Sequence, residues 1–94
     1  MAVAHAVPIP RNKIRTGEEL IGDKDGINTV FYSPENFLWD FGSDGIYFEF
    51  FRNGQLQVIG AQYVILLSNN KGIGIRMFRP PRPHDSLLIN YVSI

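Results

Sequence analysis

The chain has no cysteine, one tryptophan, two methionines and two histidines. Without cysteine it forms no disulfide and offers no thiolate metal site, so a small fold must rest on its core or on a partner. His5 and His84 lie far apart, short of the ligand count a metal centre needs, and no metal or other cofactor is expected. Neither sign of charge is in excess: nine basic and nine acidic residues cancel. That removes the electrostatic footprint of a nucleic-acid or membrane-surface binder. No apolar run approaches the roughly 18–20 residues of a membrane span. The opening MAVAHAVPIP lacks a basic start, and His5 and Pro8 break its apolar run, so a signal peptide is not expected. The reading is a soluble chain made in the cytoplasm. No segment carries a sustained 3.6-residue pattern, which argues against a helical fold.

What is present points to strands. The 94 residues are 45% hydrophobic and 13% aromatic, enough for one folded domain. From about residue 26 apolar residues recur with period two. Strands are expected at 27–32, 46–51, 55–59, 63–67, 72–78 and 87–92. Residues 63–67 are apolar on both faces, as in an interior strand. In 72–78, Ile73, Ile75 and Met77 share one face; in the last run Leu87, Ile89 and Tyr91 do. The run SNNKG at 68–72 tolerates positive φ. RPPRP at 79–83 cannot be a central strand, because three of its residues lack an N–H. Its PxxP spacing fits a polyproline ligand, but between two strands it reads as a rigid connection. Residues 33–42 are ambiguous. Ser33, Pro34 and Gly42 suit a helical turn, and an irregular bridge into a strand fits equally. Short strands with frequent turns predict a small antiparallel β-sandwich of six to seven strands over residues 26–94.

Asn53 and Gly54 divide two aromatic-rich runs. A two-residue type I′ turn needs positive φ at both positions, and Asn-Gly is its favoured pair. It sets Arg52 opposite Gln55 and Phe51 opposite Leu56. Tyr47, Glu49, Phe51, Leu56 and Val58 then share one face, and Phe48 and Phe50 the other. A longer loop would shift the register by one and exchange the faces. Both faces are largely apolar, so one is expected on the core and the other on a partner.

Residues 1–25 read as an extended arm outside the sandwich. Pro8 and Pro10 favour extension. Thr16 and Glu19 have capping-box spacing, but Gly22 and Gly26 stop any helix within a turn. Its apolar and basic side chains, Val3, Val7, Ile9 and Arg11, are expected partner contacts, as are Trp39 and Phe50. Charge is distributed in blocks. Residues 16–49 hold eight acids and one base, Lys24, whereas 50–84 hold five bases and no acid. The blocks either pair within the fold or pair head to tail between copies.

Catalytic motifs fail inspection. Asp23 and Asp25 sit as in part of a calcium loop, but Ile21 and Tyr32 would occupy its first and twelfth positions, where neither binds calcium. The Asp-Phe-Gly triplet at 40–42 lacks every other kinase element. Gly72 and Gly74 form half a phosphate fingerprint with no helix after them. No serine or threonine has a positioned base, so no catalytic residue is assigned and no enzyme is expected.

Four pieces in order carry a resemblance: DGINTVFYSPENF, FFRNGQLQVIGAQY, GIGIRMF and PPRPHDSLLINYV. Together, over residues 25–94, they resemble a small β domain of tailed-bacteriophage virion proteins. Gly26, Asn28, Thr29, Phe31, Pro34 and Phe37 fit its first motif. Asn53, Gly54, Leu56 and Tyr63 fit the second, and Asp85, Leu87 and Tyr91 the last. The chain departs at Gln62, where the pattern has Asp, so any turn capping by that Asp is absent. The resemblance implies a non-enzymatic structural subunit of the virion: a tail, neck, baseplate or fibre-adaptor component, or capsid decoration. Its partners would be other virion proteins and copies of itself. Two other classes fit the residues: a receptor- or glycan-binding module stacking sugars on Trp39, Tyr47 or Tyr32, and a regulatory or toxin-like small protein.

Overall fold

The computed structural model describes residues 14–39 and 47–94. Val3, Val7, Ile9 and Arg11 lie outside them. Seven strands follow in order: β1 (Ile14–Glu19), β2 (Val30–Leu38), β3 (Phe48–Arg52), β4 (Gln55–Leu56), β5 (Tyr63–Ser68), β6 (Lys71–Met77) and β7 (Leu87–Val92). They form two antiparallel sheets, β1-β7-β3-β4 and β2-β6-β5. The small antiparallel sandwich expected from the two-residue periodicity is the fold.

The sheets pack through a layer of rings. Phe37 from β2 lies 4.7 Å from Phe48 and 5.8 Å from Tyr91, centroid to centroid. Tyr63 from β5 meets Phe50 edge-on at 5.3 Å. Phe31, Ile75, Met77, Leu87 and Ile89 complete a core with almost no solvent contact. Each buried aromatic is worth several aliphatic contacts in apolar area, which is how so short a chain fills a two-layer interior.

One side of the sandwich is stitched shut. Ile21 and Tyr32 exchange backbone hydrogen bonds of 2.8 and 2.9 Å, joining the segment after β1 to β2. At the other end Ser93 bridges to Phe37, and the Ile94 N–H donates to the Asn36 carbonyl. Between them, the Tyr91 hydroxyl donates to Glu18 at 2.6 Å, and Arg15 pairs with both Glu18 and Glu35.

Four expectations need correction. The arm does not extend to residue 25: Ile14–Glu19 pairs with β7. Gly17, at φ 62°, lies in a β-bulge there and not in a helical first turn. Residues 33–38 are neither a helical turn nor an irregular bridge but a continuation of β2. Its register shifts between Tyr32 and Phe37, and that irregularity accommodates Pro34, which has no N–H to give. β5 is an edge strand, not an interior one; its second apolar face, Val64 and Leu66, is the outer face of the sheet. Ile73 is only partly buried whereas Ile75 and Met77 belong to the core, and a register shift between Leu66 and Leu67 leaves it without a cross-strand partner.

The two β6 glycines make room for the core. The Phe37 ring occupies the space a side chain at residue 72 would need, and at residue 74 a Cβ would collide with the Phe31 carbonyl. Gly72→Ala is expected to cost about 1–3 kcal/mol, as overpacking does. Gly74→Ala is expected to cost more, because a backbone carbonyl cannot turn aside as a ring can. Urea titrations of the two variants measure the order; an equal or reversed order would contradict it.

Candidate functional site

The Asn53-Gly54 hairpin forms as its sequence requires. Both residues have positive φ, 52° and 79°, and Arg52 faces Gln55 while Phe51 faces Leu56. Asn53 also fastens the hairpin to the loop before β7. Its N–H donates to the Ser86 carbonyl, its Oδ1 accepts the Ser86 N–H, and its Nδ2 donates to Asp85 Oδ1 at 3.0 Å. Asp85 is buried and further accepts the Arg82 N–H at 2.8 Å and Arg52 Nη2 at 3.1 Å. Arg52 also donates to the Arg79 and Pro80 carbonyls. The Arg82 N–H, the Asn53 amide and the Arg52 guanidinium hold the Asp85 carboxyl down at about 2. This junction spends most of its polar groups on itself.

Neighbouring loops behave alike. Asp25 Oδ1 accepts the Asn28 and Ile27 N–H groups, which lower its pKa; this is an Asx turn, as a polar loop predicts. Asn28 donates to the Asp23 and Val30 carbonyls and accepts the Val30 N–H. Gln62 caps the turn in place of the pattern's aspartate: its Oε1 accepts the Val58 N–H at 2.6 Å, while the Gln62 N–H returns to the Val58 carbonyl. The longer glutamine arm reaches across the turn. Among the described residues no three metal-capable side chains cluster. A groove of about 340 Å³ runs between Arg52, Gln57, Gln62, Phe78 and Arg79. It holds no carboxylate, histidine or nucleophile, so it offers hydrogen bonding and no acid–base chemistry.

The unspent surface is on the outer faces of the sheets. On the β3 sheet, cross-strand pairing sets Leu56, Phe51 and Leu88 in one row. Leu56 and Val58 are more than half exposed. Beside them Glu49 accepts from the Tyr47 hydroxyl at 2.9 Å and from Asn90 at 3.2 Å, with no cation in reach among the described residues. Partial burial, then the Glu49 contact, pushes the Tyr47 pKa up. On the β6 sheet, Val30, Arg76 and Val64 form one outward row; Tyr32, Gly74 and Leu66 form the next. Ile21, Leu38 and Phe78 flank these rows with roughly half their surface exposed. The Arg76 guanidinium lies 5.7 Å from the Phe78 ring centroid and has no ion pair among the described residues.

The expected contact residues divide differently. Phe50 is 1% exposed and belongs to the core, because the observed hairpin register turns it inward and Phe51 outward. Trp39 is partly buried, its ring edge-on to Phe48 at 6.3 Å, and is not an open stacking platform. Glu49 and Arg76 were not among the expected site residues, although each is a charge flanked by apolar residues within its strand. That was the available signal.

No protein-family model matches the chain, and no curated protein or solved structure does either.

Asp85 makes the junction testable by pH. Its folded pKa lies below the ordinary 3.8, so its stabilising contribution is complete above that value and is lost as pH falls through about 2. Asp85→Asn is expected to lower stability at neutral pH and to flatten the acid limb of the stability profile across that window. Urea unfolding at a series of pH values measures it; an unchanged acid limb would contradict the assignment.

Proposed function

We propose that the chain is a non-enzymatic structural subunit of a tailed-bacteriophage particle, working in many copies through protein–protein contacts. The observation that carries this reading is the pair of apolar rows on opposite outer faces of one small sandwich. Contiguous exposed apolar surface marks interaction sites, and here it occurs on both sheets. The ordered four-piece resemblance supplies the kind of assembly. Of its polar members, Asn28, Asn53 and Asp85 bond within the fold, which favours a scaffold over a ligand site. Assembly also answers the small core, because whatever binds only the folded state stabilises it. Stacking of sugars on Trp39 gains no support, since that ring packs on Phe48.

The test is the composition of particles purified from the phage or prophage that encodes the chain. The subunit is expected in fixed, multiple stoichiometry to a known virion protein; its absence from intact particles overturns the proposal. Residues 1–13 precede β1. Their removal is expected to lower incorporation while leaving the thermal unfolding of the sandwich nearly unchanged. Full incorporation of the truncated chain would remove the arm from the contact.

A further inference from the structure

We infer that a second copy of this chain is the occupant of both outer faces: the β3 sheet of one copy stacks on the β6 sheet of the next. This inference deepens the proposed assembly by naming the partner and the contact. Its first support is what the charge blocks do in the fold. The described acids of 16–49 pair only with Arg15 and Lys24, and Arg52, from the basic block, pairs with Asp85. Among the described residues no ion pair joins the acidic block to the basic one. The two blocks are complementary in sequence and, over the described residues, unmatched in space.

The second support is where the unmatched charges sit. Glu49 stands on the outer face of the β3 sheet, directly opposite Asn90 and beside the Leu56, Phe51 and Leu88 row. Arg76 stands on the outer face of the central strand of the other sheet, flanked by Val30 and Val64. Each face is therefore an apolar patch that carries a charge with no ion partner among the described residues, Glu49 on one and Arg76 on the other. Pairing like faces sets Glu49 against Glu49 or Arg76 against Arg76, which complementarity disfavours. Pairing unlike faces joins them and covers apolar surface on both sides. Sheets with inward-facing apolar rows pack face to face at about 10 Å, so flat strand surfaces suit the contact without rearrangement. The operator is heterologous, and every copy retains one free face of each kind.

The experiment uses the full chain in solution, followed by sedimentation velocity over the micromolar-to-millimolar range. The wild type is expected to grow past dimer with concentration and to shrink with added salt. Glu49→Arg blocks one face and Val64→Arg the other; each is expected to weaken self-association by about tenfold or more. An equimolar mixture of the two is expected to give dimers and nothing larger, because only one good face of each kind remains. Leu56→Arg replaces Glu49→Arg if loss of the Tyr47 and Asn90 bonds unfolds the chain. A wild type that stays monomeric overturns the inference, as does a Val64→Arg variant that assembles like the wild type while Glu49→Arg does not. Either result leaves intact a subunit that is found in particles and held there by a different protein. Absence from particles, conversely, leaves the measured self-association standing.

Discussion

The ring layer between the sheets sets the terms for the rest of the structure. Phe31, Phe37, Phe48, Phe50, Tyr63 and Tyr91 meet where the two sheets face each other. A two-layer sandwich has one interior about 10 Å thick, and six aromatic side chains go far toward filling it. Two consequences follow directly. β6 runs close to the Phe37 ring and to the β2 backbone at Phe31, so it carries glycine at 72 and 74. The chain's remaining large apolar residues, Leu56, Val58, Leu88, Ile21, Tyr32 and Phe78 among them, have no second interior to enter. Their exposure comes from arithmetic of layers, and it is the feature on which the functional proposal rests.

Polar chemistry is arranged around that layer as fastening. Asp85 gathers the β3–β4 hairpin and the proline-containing loop into one knot. Asp25, Asn28 and Gln62 do the same for single turns. On the stitched side, the Tyr91 hydroxyl is buried against Glu18, and burial followed by that acceptor raises its pKa strongly. It stays protonated as a donor throughout the physiological range. These groups are used up by folding. Glu49 and Arg76, which have no ion partner among the described residues, lie outside the knots and on the outer strand surface, which is where recognition is available to them.

The parts of this fold legible in the sequence were those governed by local rules. Asn53-Gly54 fixed its own turn and register because only that turn type suits two positive φ values. The β7 alternation placed Leu87, Ile89 and Tyr91 together because nothing interrupts its pairing. Illegible parts were those decided by tertiary pairing or by bulges. β1 looks like an arm locally and becomes a strand only because β7 offers an edge. β2 passes through Pro34 because its register shifts there. Whether an apolar strand is central or at an edge is invisible when its outer face is apolar too, and β5 was misplaced for that reason. Phe50 shows how much one register decides. The hairpin turned it inward, and a shift of one residue would have exposed it in place of Phe51.

Geometry also constrains what the proposed stack would be. The two complementary faces lie on opposite sides of the same two-layer body. An unlike-face contact therefore relates neighbours by translation along the layer normal plus a rotation. Rings require the two contact faces to be inclined to each other; opposite faces of a sandwich are not strongly inclined, so an open column is the natural product. At roughly 10 Å per sheet the rise would be roughly 20 Å per copy. Sheet twist sets the rotation, since each inner packing already turns one sheet by about 30° against its neighbour. An open column needs an external terminator, because its last copies present an uncovered acidic apolar face at one end and a basic one at the other. The two ends are chemically different. A terminating protein would thus be selected by charge, a basic apolar surface for the Glu49 end and an acidic one for the Arg76 end, and a single protein could not cap both with the same patch.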